Sequence, residues 1–257
     1  MFADVTSANI VGYQNAGFKD QGYNCSIATF ETVSGETLTL GDIKPEGMED
    51  SYLVFLTPGG AVAKVDFLGK KVQAMYYYVI DEDGDFDGDG WYLANDDEDL
   101  LHNQNNVEIP YGTGFFVYRS GFEKDAKLTS AGAVKLQPTT IDFKDQGYNT
   151  KGNCLPKAIK LGDLVPDGME DSYITFLTPG GAVAKVDFLG KKVQAMYYYV
   201  IDEDGDFDGD GWYLANDDED LLYNQNEKVT LEAGQGFMVY RSGFEKDATI
   251  TIPGALD

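Results

Sequence analysis

Apolar and polar positions along the chain alternate in short runs and nowhere take up a helical spacing. The clearest run is residues 61–67. Ala61, Ala63, Val65 and Phe67 fall on one side and Lys64 and Asp66 on the other, the period of two of a half-buried strand. Residues 72–80, VQAMYYYVI, are apolar or aromatic at nearly every position, too short and too β-rich for a helix, and predict a central strand covered on both faces. Further strands are predicted at residues 9–14, 26–32, 38–43, 52–56, 91–93 and 115–119. Between them FKDQGYN (18–24), SGET (34–37), KPEGMED (44–50), TPGG (57–60) and LGKK (68–71) read as turns or loops, with Pro and Gly where turn backbones require them. Residues 94–105 allow a single helical turn. The pattern predicts an all-β protein.

The pattern also repeats. Residues 55–101 return letter for letter at 176–222, an identical block of 47 residues offset by 121. That period matches the size of a small independently cored unit and exceeds that of solenoid repeats, so the expectation is two tandem β-sandwich or β-barrel-like domains of one fold, 1–133 and 134–257. The first closes with KLT (127–129) and GAV (132–134), the second with TIT (249–251) and GAL (254–256). No flexible linker separates them, so the domains are expected to be held stiffly. Residues 1–7 have no counterpart in the second copy and read as a polar leader. With a closing strand that has no successor at the other end, this predicts a head-to-tail homopolymer formed by strand addition.

With 43% hydrophobic residues the chain can bury two modest cores. Its 44 acids against 19 bases give a net charge of −25, which repels nucleic-acid phosphates and anionic membrane surfaces. No apolar run is long enough for a membrane-spanning helix, and the first residues lack the features of a signal peptide, so neither nucleic acid nor membrane insertion is expected. Cys25 and Cys154 are too few for a disulfide framework and not in zinc-ligand spacing; in end-to-end domains they would lie too far apart to bridge.

The densest chemistry is DEDGDFDGDGW, at 81–91 and again at 202–212. Asp83, Asp85 and Asp87 with Gly88, and Asp204, Asp206 and Asp208 with Gly209, reproduce the D-x-D-x-D-G opening of a calcium loop. Asp89 and Asp210 stand at the position that contributes a backbone carbonyl. Ala94 and Ala215 occupy the place of the closing bidentate acid, which argues against an EF-hand; Asp96, Asp97 and Glu98, with Asp217, Asp218 and Glu219, could complete the shell. Calcium is the expected ligand, against the alternative of a solvated acidic loop. Enzymatic readings have little support: the lone His102 is matched by Tyr223, and no nucleophile or phosphate loop is recognisable, while the acids are numerous enough to supply a glycosidase-like carboxylate pair. Tyr76, Tyr77, Tyr78, Trp91 and Tyr92, with Tyr197, Tyr198, Tyr199, Trp212 and Tyr213, either line a sugar-binding face or pack in the core.

NIVGY at 9–13, the GYN turn, GWY at 90–92, the GxGFxVY pattern at 112–118 and the closing short-apolar-Gly strand resemble the poorly characterised secreted NVVGY-type β-repeat proteins of Verrucomicrobia- and Lentisphaerae-like bacteria. The second copy departs from the pattern, with VKLQP at 134–138. The resemblance implies an all-β domain and extracellular or cell-surface placement, with the signal peptide absent from this chain, and carries no activity. Two functions follow as expectations: a structural subunit of a surface layer or filament, and a calcium-dependent module binding surface polysaccharide.

Overall fold

The computed structural model describes residues 11–18, 21–48, 51–57, 59–94, 102–121, 125–143, 146–169, 172–215, 223–242 and 247–255. The fold is all-β. The first repeat supplies β1 (Val11–Phe18), β2 (Gly22–Ile27), β3 (Leu38–Thr39), β4 (Lys44–Glu46), β5 (Ser51–Val54), β6 (Lys64–Phe67), β7 (Lys70–Gln73), β8 (Met75–Val79), β9 (Gly90–Leu93), β10 (Glu108–Ile109), β11 (Gly114–Arg119) and β12 (Ala126–Ala133). The second supplies the same twelve in the same order: β13 (Thr139–Phe143), β14 (Gly147–Gly152), β15 (Ile159–Lys160), β16 (Val165–Asp167), β17 (Ser172–Thr175), β18 (Lys185–Phe188), β19 (Lys191–Gln194), β20 (Met196–Val200), β21 (Gly211–Leu214), β22 (Thr230–Leu231), β23 (Gly236–Arg241) and β24 (Ala248–Ile252). The only helical turns among the described residues are 3-10 turns at Leu40–Asp42 and Leu161–Asp163.

Each repeat builds an antiparallel five-stranded sheet, β2-β11-β5-β8-β9 or β14-β23-β17-β20-β21, and a three-stranded sheet, β1-β12-β4 or β13-β24-β16. In the first repeat Phe18, Ala126 and Leu128 from the smaller sheet meet Leu53, Tyr76, Trp91 and Val117 from the larger one in a single buried cluster. Burying these side chains drives the packing, at about 1.5–3 kcal/mol for each large apolar residue. Trp91 and Trp212 are fully buried, and their indole N–H groups donate to Ile43 O at 3.2 Å and Leu164 O at 3.1 Å. Buried Arg119 and Arg241 donate to Phe18 O and Phe143 O, tying the larger sheet to the end of β1 and of β13.

Several elements differ from the sequence pattern. The FKDQGYN turn ends early, because GYN already belongs to β2, which stops at Ile27. KPEGMED contains the strand β4, paired to β12. The run 72–80 is two strands: Ala74 leaves the ladder, so that β7 closes a separate hairpin with β6 while β8 enters the large sheet between β5 and β9. The predicted strand at 38–43 turns into the 3-10 turn after Thr39, where Asp42 accepts hydrogen bonds from the Thr39 N–H and hydroxyl.

The repeats are packed against each other rather than strung end to end. Gly59, in the TPGG turn of the first repeat, donates its N–H to Tyr148 O of the second at 3.0 Å. The matching turn of the second repeat reaches β2 of the first, where a Cβ on Gly180 would lie 3.0 Å from Gln21 O. Both glycines have positive φ, +99° and +96°, so these positions demand glycine for conformation as well as space. Ile27 of the first repeat sits in the buried cluster of the second, and Ala255 packs against Phe30, Leu38 and Val134. The closing strand β24 is the middle strand of its sheet, with β13 on one side and β16 on the other, and so offers no free edge. The leader, residues 1–7, lies outside the described residues.

Candidate functional site

Alternation along the strands of the large sheet separates its aromatic residues into two sets. Tyr76, Tyr78 and Trp91 turn inward; Tyr78 meets Trp91 edge-on at 5.3 Å in the core. Tyr77 points to the other face, and there the registers β2–β11, β11–β5 and β8–β9 place Tyr23 opposite Tyr118, Tyr118 opposite Tyr52, and Tyr77 opposite Tyr92. Leu53 pairs with Tyr76, which sets Tyr52 and Tyr77 level across β5 and β8. The result is a row of five tyrosines, one per strand. Ring centroids are 4.8 Å apart for Tyr23 and Tyr118, 6.2 Å for Tyr118 and Tyr52, and 6.3 Å for Tyr77 and Tyr92. The second repeat builds the same row from Tyr148, Tyr240, Tyr173, Tyr198 and Tyr213, with successive centroids 5.0, 6.3, 6.5 and 6.4 Å apart. These intervals follow the spacing of neighbouring strands, about 4.7–4.9 Å, widened by the tilt of the rings.

The row opens to solvent at one end and closes at the other. Tyr23 and Tyr148 are 45% and 46% exposed, the three tyrosines that follow each are half-buried, and Tyr92 and Tyr213 are buried under the acidic loops. Tyr92 Oη donates to Gly88 O at 2.7 Å and Tyr213 Oη to Gly209 O at 2.6 Å. Lost hydration, with the charges of Asp87 and Asp81 beside it, raises the Tyr92 phenol above its ordinary range; Tyr213 is raised in the same way next to Asp208 and Asp202. Both phenols stay protonated, and their protons are committed to Gly88 O and Gly209 O.

The acidic loop is held by its own backbone. Asp89 accepts the Asp81 N–H at 2.8 Å, Asp81 accepts the Phe86 N–H at 3.3 Å, and Asp87 accepts the Asn103 N–H at 3.3 Å. Asp202, Asp208 and Asp210 repeat this pattern. Asp83, Asp85, Asp204 and Asp206 are exposed. Among the described residues no three His, Cys, Asp or Glu side chains are arranged to hold a metal ion, so the sequence-based set Asp83, Asp85, Asp87 and Asp89 is not brought to one point, nor is its copy. Asp96, Asp97, Glu98, Asp217, Asp218 and Glu219 lie outside the described residues.

The two cysteines are unbridged. Desolvation pushes each thiol up to about 12, which leaves neither with nucleophilic character at neutral pH. Sequence reasoning grouped the aromatic run 76–78 with 91–92 as one face and missed Tyr23, Tyr52 and Tyr118. The available signal was that each of these tyrosines has a tyrosine partner, Tyr148, Tyr173 and Tyr240, in the other repeat. Comparison of the chain with protein-family models, with characterised proteins and with solved structures gives no significant match.

Proposed function

We propose that the chain is a non-catalytic extracellular module that binds a neutral polysaccharide along its two tyrosine rows. The observation that carries this reading is the row itself: partly exposed rings on four adjacent strands, presented twice. A linear glycan is the ligand whose own repeat suits such a row. Its C–H faces lie against aromatic edges and faces, and its hydroxyls meet a line of phenol groups. The net charge of −25 disfavours anionic polymers, which selects neutral chains. Extracellular placement accords with the resemblance to secreted NVVGY-type repeats.

The test is affinity electrophoresis or calorimetry of the intact chain against neutral polysaccharides, with Tyr118→Ala and Tyr240→Ala combined so that both rows are interrupted. Removing a central contact residue from each row is expected to weaken binding about tenfold or more, with the melting temperature as the control for folding. Binding unchanged by the double substitution would reject the rows as the site.

One observation favours the structural reading as well. β1 lies at the edge of its sheet with Val11 60% and Tyr13 66% exposed, an arrangement open to strand addition from a second copy. Light scattering separates a polymer from a monomeric binding module.

A further inference from the structure

The two five-stranded sheets approach each other around an open cavity of about 500 Å³ that both repeats line. Most of its walls come in matched pairs, Tyr23 with Tyr148 among them, with Gly180 and Met196 added from the second repeat alone, and no charged side chain lines it among the described residues. The matching breaks at two places. Val54 in the first repeat is Thr175 in the second, and Phe116 is Met238.

Thr175 lines the cavity from the same face of β17 as Tyr173, and it is only 4% exposed. Its Oγ1 is buried and has no hydrogen-bond partner among the described residues. An unpaired buried hydroxyl is unfavourable, and valine, of nearly the same shape, fills the equivalent position in the first repeat without that penalty. A ligand that brings its own polar group removes the penalty. The departure from symmetry then has a chemical sense: a hydroxyl just behind one wall, which a turn of the Thr175 side chain between its staggered χ1 positions brings to the cavity, a flexible Met238 in place of a ring beside it, and apolar surface elsewhere.

We propose that this cavity binds a small, uncharged, largely apolar molecule carrying one hydroxyl or carbonyl group, which pairs with Thr175 Oγ1. The volume falls within the range of small-molecule sites, about 300–1,000 Å³, and the absence of lining charge argues against ionised ligands. The proposal rests on the cavity and on Thr175; Tyr23 and Tyr148, which open the two glycan rows, also line the cavity, but the Thr175 test does not depend on glycan binding.

The probes are 2-naphthol and naphthalene, which differ by the hydroxyl, titrated into the full chain and followed by fluorescence and by thermal shift. Wild type is expected to bind 2-naphthol more tightly than naphthalene and to melt at a higher temperature with it. Thr175→Val, which copies the first repeat and so suits the local packing, is expected to bind naphthalene as before and to lose the preference for 2-naphthol, by about tenfold or less. Val62→Phe, placed to fill the cavity, is expected to abolish binding of both. Three outcomes overturn the proposal: neither probe binds the folded wild type; the preference persists in Thr175→Val; or Val62→Phe, still folded, binds as well as wild type. A high-resolution structure with only an ordered water on Thr175 in saturating 2-naphthol counts equally against it.

Discussion

At the scale of single residues, desolvation of Cys25 and Cys154 sets a pH dependence. Both thiols rise from 9.0 to about 12 in the folded chain, and Tyr76 and Tyr197 rise from 10.0 to about 12, in each case through burial. Below pH 9 both folded and unfolded chains keep these protons and the full stability is present. Between pH 9 and 12 the unfolded chain releases them while the folded chain does not, so the free energy of unfolding falls as pH rises. Denaturant titrations across this range are expected to show that fall, and Cys154→Ala is expected to make it shallower. A stability that stays constant from pH 9 to 11 would contradict the desolvation of the thiols. The tyrosines show what a sequence does and does not reveal at this scale. Which face Tyr77 takes is legible from alternation with Tyr76 and Tyr78, but its neighbours Tyr52 and Tyr118 are fixed by strand register. Register depends on long-range pairing that no local pattern encodes.

At the scale of elements, turns were more legible than strand limits. LGKK becomes the two-residue hairpin between β6 and β7, with Phe67 opposite Lys70 and both Leu68 and Gly69 at positive φ. Such a turn favours Asn-Gly, whereas leucine is strained there by about 1–2 kcal/mol. Leu68 and Leu189 are exposed, so replacing both with Asn is expected to raise the free energy of unfolding by roughly 1 kcal/mol per site, measured by chemical denaturation. The break at Ala74 was not legible, because VQAMYYYVI is uniformly β-prone; the strand divides because β7 completes a hairpin while β8 answers the core. The acidic loops carry a second prediction. If calcium draws the exposed Asp83 and Asp85, and Asp204 and Asp206, into a shared shell, free ion at 100 times the dissociation constant stabilises the fold by about 2.7 kcal/mol per site. Chelation is then expected to lower the melting temperature, and identical melts with calcium and with excess chelator would remove the metal from the picture.

At the scale of the whole molecule, duplication was plain in the sequence, whereas the way the copies meet was not, since contacts between repeats involve backbone atoms of glycines that carry no pattern of their own. Gly59 on Tyr148, Gly180 against Gln21 and Ile27 inside the second core join the repeats at three separate points. Exposing any of these contacts strips apolar surface and backbone pairing from both repeats at once, so unfolding one repeat withdraws support from the other. Calorimetry of the intact chain is therefore expected to give one transition, with calorimetric and van't Hoff enthalpies in agreement. Gly59→Val supplies the sharper arm. Valine is strained at a φ of +99°, and its side chain crowds the partner repeat at Gln146 O, 3.3 Å from where its Cβ would sit. The substitution lies in the first repeat, yet it is expected to lower the stability of the whole chain, by roughly 1–3 kcal/mol, or to split the transition in two. Two transitions already in wild type, or a Gly59→Val chain in which only the first repeat loses stability, would mean that the contact between repeats contributes little to holding the molecule together.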